Sequence, residues 1–138
     1  MLQPKKVKRP KMHKVSYEGI ATRGNKISFG DFALVSKEGA WITSNQIEAG
    51  RIAINKHLKR SGKLWIRIFP FFSMTKKPLE VRMGSGKGSV DKWVAVVKKG
   101  TVIFEISKTT KDLAFEALRL ASHKLSVKTS IIAKEDVK

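Results

Sequence analysis

Positive charge dominates this sequence and limits both the folds and the partners open to it. The chain has 29 Lys and Arg residues against 11 Asp and Glu, which gives a formal net charge of +18 over 138 residues. Like charges repel one another in a compact chain, so a polyanion that offsets the repulsion favours the folded state. Because 41% of the residues are hydrophobic, the chain can also build a core. We therefore expect one folded domain that binds nucleic acid.

Several other classes of protein are disfavoured. The chain has no cysteine, which excludes disulfides, thiol chemistry and zinc sites that need thiolate. Charged residues interrupt the apolar runs within about nine residues, too few for a membrane span, and no apolar segment follows the basic N-terminus as in a secretory signal. The histidines, His13, His57 and His123, lack the spacing of metal ligands. We expect no metal, no cofactor, no membrane and no small-molecule substrate.

The charge and proline patterns divide the chain into an arm, a domain and a tail. Residues 1–26 are rich in Lys and Arg, and Pro4 and Pro10 discourage a helix there, which predicts an extended basic arm. Residues 27–133 form the predicted single globular domain, and residues 134–138 a charged tail. Residues 70–90 lack a clean periodicity and predict a long loop inside the domain.

Hydrophobic periodicity predicts an α+β fold, with two helices packed on a mostly antiparallel sheet. The first helix starts after Thr43 or Ser44 and runs to about residue 60, with Gln46 completing a capping box and Gly62 beyond its end. Its apolar stripe is Ile47, Gly50, Ile54 and Leu58. Thr109 is the predicted cap of the second helix, to about residue 124. Strands are predicted at residues 27–29, 32–34, 40–43, 63–69, 92–98, 101–107 and 127–133, with a further short one at 79–83.

The strands at 92–98 and 101–107 resemble a β-hairpin, because Lys99 and Gly100 supply a two-residue turn between two alternating segments. This pairing places Phe104 on an apolar core face. On the opposite face, Ile103 and Glu105 alternate with lysines and valines, which predicts a surface partly open to solvent or RNA.

The glycine-rich segment from Arg82 to Gly88 invites comparison with nucleotide-binding loops. It fails the Walker A spacing, because Val81 and Gly88 stand where glycine and Ser or Thr are needed, and the next periodic segment is a strand. A basic loop whose backbone amides can approach phosphate remains. The chain offers no convincing pair of carboxylates or nucleophile and base, so we expect no enzyme.

Two adjacent aromatic residues, Phe71 and Phe72, follow Pro70 in the predicted loop. Because they are neighbours, only one of them can easily point inward. The other is a candidate for stacking on an unpaired base or for docking.

Three segments of the chain stand out as motifs: MLQPK at the N-terminus, KRSGKLWIRIFP at residues 59–70, and KPLEVRMGSGKG at residues 77–88 followed by WVA at residues 93–95. The two central motifs are long and specific, and together the three resemble the bacterial ribosomal protein L-sixteen family. The resemblance spans residues 1 to about 130. It implies a structural constituent of the large ribosomal subunit that binds large-subunit ribosomal RNA beside neighbouring ribosomal proteins. It also implies that the protein helps position transfer RNA at the aminoacyl site, with a role at the peptidyl site left open. It also implies a cytoplasmic location, with an organellar ribosome left open.

The resemblance also suggests site residues by position. Implied ribosomal RNA contacts are Lys5, Lys6, Lys8, Arg9, Lys11, Lys14, Arg51, Lys56, Lys59 and Arg60, and the implied loop near transfer RNA is Arg82, Met83, Gly84, Ser85, Gly86, Lys87 and Gly88. The chain departs from the family pattern at residues 15–18, at Gly50, where alanine is usual, and at Phe71 and Phe72.

Two other functions stay open from the sequence. A free nucleic-acid chaperone or nucleoid protein would use the same charge without a fixed site. An enzyme acting on phosphate-containing substrates would depend on the glycine-rich loop alone.

Overall fold

Seven strands and two helices make up the described part of the chain, which confirms the predicted α+β class. The computed structural model describes residues 19–21, 24–59, 61–76 and 89–134. The elements in chain order are β1 (Phe32–Ser36), β2 (Ala40–Thr43), α1 (Ser44–Leu58), β3 (Lys63–Ile66), β4 (Phe72–Lys76), β5 (Ser89–Val97), β6 (Val102–Ser107), α2 (Lys111–Ser122) and β7 (Thr129–Ala133).

The strands form two separate sheets in which the paired strands are antiparallel. The larger sheet has the order β3-β6-β1-β7, and the smaller one has the order β2-β5-β4. Helix α2 packs on β1, β7 and β6, while α1 packs on α2 and contacts β2, β5 and β3. The two helices therefore cover one face of the larger sheet, with α1 also contacting the smaller sheet.

The predicted hairpin is wrong, although both of its strands exist. β5 pairs with β2 and β4, whereas β6 pairs with β1 and β3 in the other sheet. The Gly100 N–H donates to the carbonyl oxygen of Ser36, and the Lys99 carbonyl accepts from the Ala21 N–H. These contacts bind the turn to other segments, so it carries the chain from one sheet to the other.

Strand β6 is buried on both faces, which corrects the prediction of a partly open face. Ile103, Phe104 and Glu105 are all fully buried. Phe104 pairs across the strands with Leu34 and faces the helices, while Glu105 lies on the opposite face of the sheet. The charged residue of this strand, Glu105, is therefore paired with groups inside the fold and does not face solvent.

Helix α1 begins as predicted and ends earlier. The Thr43 hydroxyl accepts from the Gln46 N–H at 3.2 Å, and the Gln46 side chain accepts from the Thr43 N–H at 3.0 Å, which completes the capping box. The predicted apolar stripe is buried in full. The helix ends at Leu58, and Lys59 takes the left-handed conformation with φ 49°, so Gly62 is not its C-terminal cap.

Helix α2 begins one residue later than predicted. Thr110, not Thr109, caps it, with its hydroxyl accepting from the Leu113 N–H. The small side chains of Ala114, Ala117 and Ala121 are fully buried, as expected for a helix that lies close to its neighbours.

Three predicted segments differ from the structure. Residues 27–29 are not a strand, and the N–H groups of Ser28 and Phe29 bind a side chain instead of a neighbouring strand. Residues 72–76 form β4 rather than a loop, and residues 77–88, including the strand predicted at 79–83, lie outside the described residues.

Phe72 is buried under Trp41, while Phe71 is half exposed, so one ring of the pair points inward as predicted. Strand β3 ends at Ile66 and β7 starts at Thr129.

Gly50 is explained by packing rather than by helix propensity. A Cβ atom at this position would lie 3.0 Å from two ring carbons of Phe104, which is fully buried. The Phe104 ring, which belongs to β6, therefore occupies the space that the alanine methyl group would need. A glycine costs about 1 kcal/mol of helix stability relative to alanine, and here it lets α1 approach the sheet.

We expect Gly50→Ala to destabilise the fold despite the better helix propensity of alanine. Overpacking a core typically costs about 1–3 kcal/mol, which exceeds the gain of about 1 kcal/mol from propensity. In a Phe104→Leu background the ring is gone, and Gly50→Ala should become stabilising. Urea unfolding of the four proteins of this double-mutant cycle measures the coupling. Equal effects of Gly50→Ala in both backgrounds would contradict this packing argument.

Candidate RNA-binding surface

Helix α1 carries the predicted contact residues that fall in the described part of the chain. They are Arg51, Lys56 and Lys59, and both lysines are exposed near the end of the helix. The remaining predicted residues lie outside the described residues, so their role stays a prediction. These are Lys5, Lys6, Lys8, Arg9, Lys11, Lys14, Arg60 and the loop from Arg82 to Gly88.

Arginines and lysines play different parts on the described surface. The three described arginines each pair with a glutamate: Arg51 with Glu48, Arg67 with Glu105, and Arg119 with Glu116. The hydrogen bond from Arg51 lowers the pKa of Glu48 and keeps that carboxyl ionised. No described lysine pairs with a described carboxylate. Among the described residues, the lysines are therefore the cations left free for an anionic partner.

A groove between α1 and α2 gathers several of these cations. It has a volume of about 730 Å³ and an apolar floor that includes Leu58, Leu113 and Leu120. Its other lining residues include Lys56, His57, Lys59, His123 and Lys124. Lys56 and Lys59, at the end of α1, were predicted contacts, whereas Lys124, which follows α2 and lies beside them, was not predicted.

A buried carboxylate organises the opposite face of the larger sheet. Glu105 is fully buried, and its Oε1 atom accepts from the N–H groups of Ser28, Phe29 and Gly30 at 2.9, 3.0 and 3.0 Å. Its Oε2 atom accepts from Arg67, which also donates to the Lys26 carbonyl at 3.2 Å. One side chain thus fixes the segment that precedes β1 and the end of β3.

Glycine at position 30 is required for this close approach. A Cβ atom there would lie 2.8 Å from the Ile106 carbonyl oxygen and 3.0 Å from the Glu105 Cβ atom. Any larger residue would push the segment away from β6 and lengthen the three N–H bonds to the carboxylate.

The pKa of Glu105 reflects two opposing effects. Burial raises the pKa of this carboxyl, because the charged form loses hydration. The hydrogen bonds from Arg67 and from the three backbone amides stabilise the charged form more strongly, so the net pKa lies below the usual value of 4.5. The carboxylate is ionised at neutral pH, and Arg67 balances its charge.

Near this carboxylate, two aromatic rings and two cations form a cluster that we call the aromatic ladder: Lys63, Trp65, Phe29 and Arg67. The rings of Phe29 and Trp65 stack at 5.9 Å with an angle of 21°. The Lys63 ammonium lies 5.2 Å from the Trp65 ring centre, and the Arg67 guanidinium lies 5.3 Å from that of Phe29. This cluster was not predicted, although Trp65 and Arg67 alternate in the strand predicted at residues 63–69 and therefore share one of its faces.

Comparison with known proteins decides the family. The family model "Ribosomal protein L16p/L10e" matches residues 4–132. The chain belongs to this family. It is similar to the large ribosomal subunit protein uL16 of Ureaplasma parvum serovar 3, with 60% identity over 134 residues, 97% of each chain. It is also similar to uL16 of Mycoplasma capricolum subsp. capricolum, with 57% identity over 132 residues, 96% of each chain.

This membership confirms the resemblance carried by the three motifs. Members of the L16p/L10e family are structural proteins of the ribosome and not enzymes, which is the class that the sequence analysis favoured. In the described ranges, neither helix has the length and apolar character to cross a bilayer. The same residues contain no group of three or more potential metal ligands.

We expect Glu105→Gln to destabilise the fold by about 3 kcal/mol at neutral pH, because removing one partner from a buried ion pair leaves the other charge and its donors poorly satisfied. A folded-state pKa below the unfolded value adds stability above pH 4.5 that is lost as the pH falls through the folded-state pKa. The wild type should therefore lose stability more steeply in acid than Glu105→Gln.

Urea unfolding between pH 7 and pH 3 measures both effects. Glu116→Gln is the control, because it removes an exposed partner of Arg119. Its neutral-pH stability should stay close to that of the wild type. Equal acid sensitivity of the wild type and Glu105→Gln would contradict the role given to this carboxylate.

Proposed function

We propose that this chain binds large-subunit ribosomal RNA as a structural constituent of the cytoplasmic ribosome. The near full-length similarity to large ribosomal subunit proteins carries the proposal. The charge supports it: the net charge is +18, and the described lysines are unpaired with described carboxylates. Binding is electrostatic, because lysines release counterions from phosphates where RNA helices approach one another.

The cations around the groove between the helices give the proposal a described surface. Lys56, Lys59 and Lys124 line one concave region. Three ammonium groups at one place attract several phosphates, and an RNA strand presents phosphates at this density. The basic arm adds a second contact that tracks the RNA. Neighbouring ribosomal proteins share the rest of the surface.

The finer proposal concerns transfer RNA. Glycines at 84, 86 and 88 allow backbone amides to approach phosphate closely, while Arg82 and Lys87 supply charge-assisted hydrogen bonds. In this proposal the loop helps position transfer RNA at the aminoacyl site, and also at the peptidyl site if it reaches that far. The arm and α1 hold the ribosomal RNA.

A free nucleic-acid chaperone is the second candidate, favoured only by the charge. It would bind RNA without a fixed stoichiometry, whereas a subunit constituent occupies one site in each particle. Salt dependence does not separate the two, since both follow counterion release.

We expect one copy of this chain in each large ribosomal subunit. Sedimentation of a cell lysate in magnesium-containing buffer, followed by quantitative mass spectrometry of each fraction, measures the ratio. A spread over free protein and heterogeneous nucleic acid, with far less than one copy in each large subunit, would support the chaperone instead.

We expect substitutions in the loop and substitutions in α1 to have different effects. Loop variants should affect the placement of transfer RNA, and variants at the end of α1 should affect binding to ribosomal RNA. Arg82→Ala with Lys87→Ala should slow accommodation of aminoacyl transfer RNA while subunits still assemble. Lys56→Ala with Lys59→Ala should weaken binding to large-subunit ribosomal RNA, and the slope of log K against log salt should shrink by about 1 for each phosphate that the variant no longer neutralises.

Lys37→Ala with Lys128→Ala is the matched control, because it removes the same charge from two exposed lysines near the β1–β2 turn. Equal losses of affinity from both lysine pairs would show that only net charge matters. Failed assembly of the loop variant, with normal accommodation afterwards, would reverse the two roles.

A further inference from the structure

We propose that the aromatic ladder is a stacking platform for an unpaired RNA base, with Lys63 placed for a flanking phosphate. This inference rests on the proposed RNA binding and adds a specific contact to it. The juxtaposition that carries it is an exposed Phe29 stacked on Trp65 between Lys63 and Arg67.

The first argument is exposure. Phe29 keeps 60% of its surface exposed although it contacts both Trp65 and Arg67. Open ring surface is therefore available next to an existing stack. A base that joins the stack adds the interaction of its own π-face, and such stacking tolerates any base because every base has one.

The second argument is preorganisation. The N–H groups of Ser28, Phe29 and Gly30 all point at one carboxylate oxygen of the buried Glu105. Three consecutive inward amides fix the backbone at Phe29 and direct its ring outward. The same carboxylate fixes Arg67, which lies over that ring. A rigid platform loses little conformational entropy when a ligand stacks on it.

The third argument is charge. Lys63 lies on the edge strand β3, 5.2 Å from the Trp65 ring centre, and no described carboxylate pairs with its ammonium. Arg67 lies over the Phe29 ring but carries no free charge, because the buried Glu105 neutralises it. An apolar surface beside an unpaired ammonium suits a base and its flanking phosphate better than an apolar side chain of another protein.

The test compares two RNA probes that carry the same number of phosphates. One is an octamer of riboadenosine, and the other is an octamer of abasic ribose phosphates. Both bind through charge, but only the first can stack. We expect the full-length wild-type chain to prefer the riboadenosine octamer by roughly 5- to 100-fold, the range of one base stacked on an aromatic ring.

Phe29→Ala should lose most of this preference while its affinity for the abasic octamer stays unchanged. Phe29→Tyr should restore the preference, because it keeps an aromatic ring. Phe69→Ala is the matched control, since Phe69 is 45% exposed and forms no ring pair with Phe29 or Trp65. It should retain the wild-type preference. If Phe29→Ala fails to fold, Phe29→Leu keeps the apolar bulk without the ring and should lose the preference as well.

The outcomes separate the stacking platform from the wider proposal. Equal wild-type affinity for the two octamers would overturn the platform and leave charge-driven RNA binding intact. A Phe29→Leu variant with the full preference, or an equal loss of preference in Phe69→Ala, would also overturn it. If neither octamer binds at low salt, the proposed RNA binding fails together with the platform.

Discussion

The buried carboxylate of Glu105 is the interaction on which the described architecture depends most. It lies in the central region of the larger sheet, and it connects segments that are 38 to 77 residues away in the sequence. A buried charge is costly unless it is paired and hydrogen-bonded, so its presence forces the neighbouring chain into one arrangement. That arrangement requires glycine at position 30, closes one face of β6 and places an aromatic ring in solvent.

The two faces of β6 contact different parts of the molecule. On the helix side, Phe104 fills the space left by Gly50 and lets α1 approach the sheet. On the other side, Glu105 draws the preceding segment over the strand. Neither face of β6 is left for solvent, so this strand offers no open surface to a partner.

Local interactions were predictable from the sequence, and distant ones were not. The capping box of Thr43 and Gln46 spans three residues, and the stripe along α1 repeats within a turn or two, so the residues themselves define both. The turn at Lys99 and Gly100 has the residues of a hairpin, but its strands belong to different sheets because pairing depends on β1, β2 and β3 far away. The lysines of the groove are distant in the sequence for the same reason: Lys56 and Lys59 lie at the end of α1, and Lys124 follows α2. Only the two lysines at the end of α1 were predicted to contribute.

The division of labour between arginine and lysine follows from their chemistry. A planar guanidinium binds a carboxylate with several donors in a fixed geometry, and the three described arginines are used in this way within the fold. An ammonium is a compact, strongly hydrated charge on a flexible stem, which adapts to a phosphate whose position the protein does not fix. The described arginines therefore hold the fold together, while the described lysines stay without carboxylate partners. Arg67 does so at one further place, because the carboxylate that neutralises it also positions it over the exposed Phe29 ring.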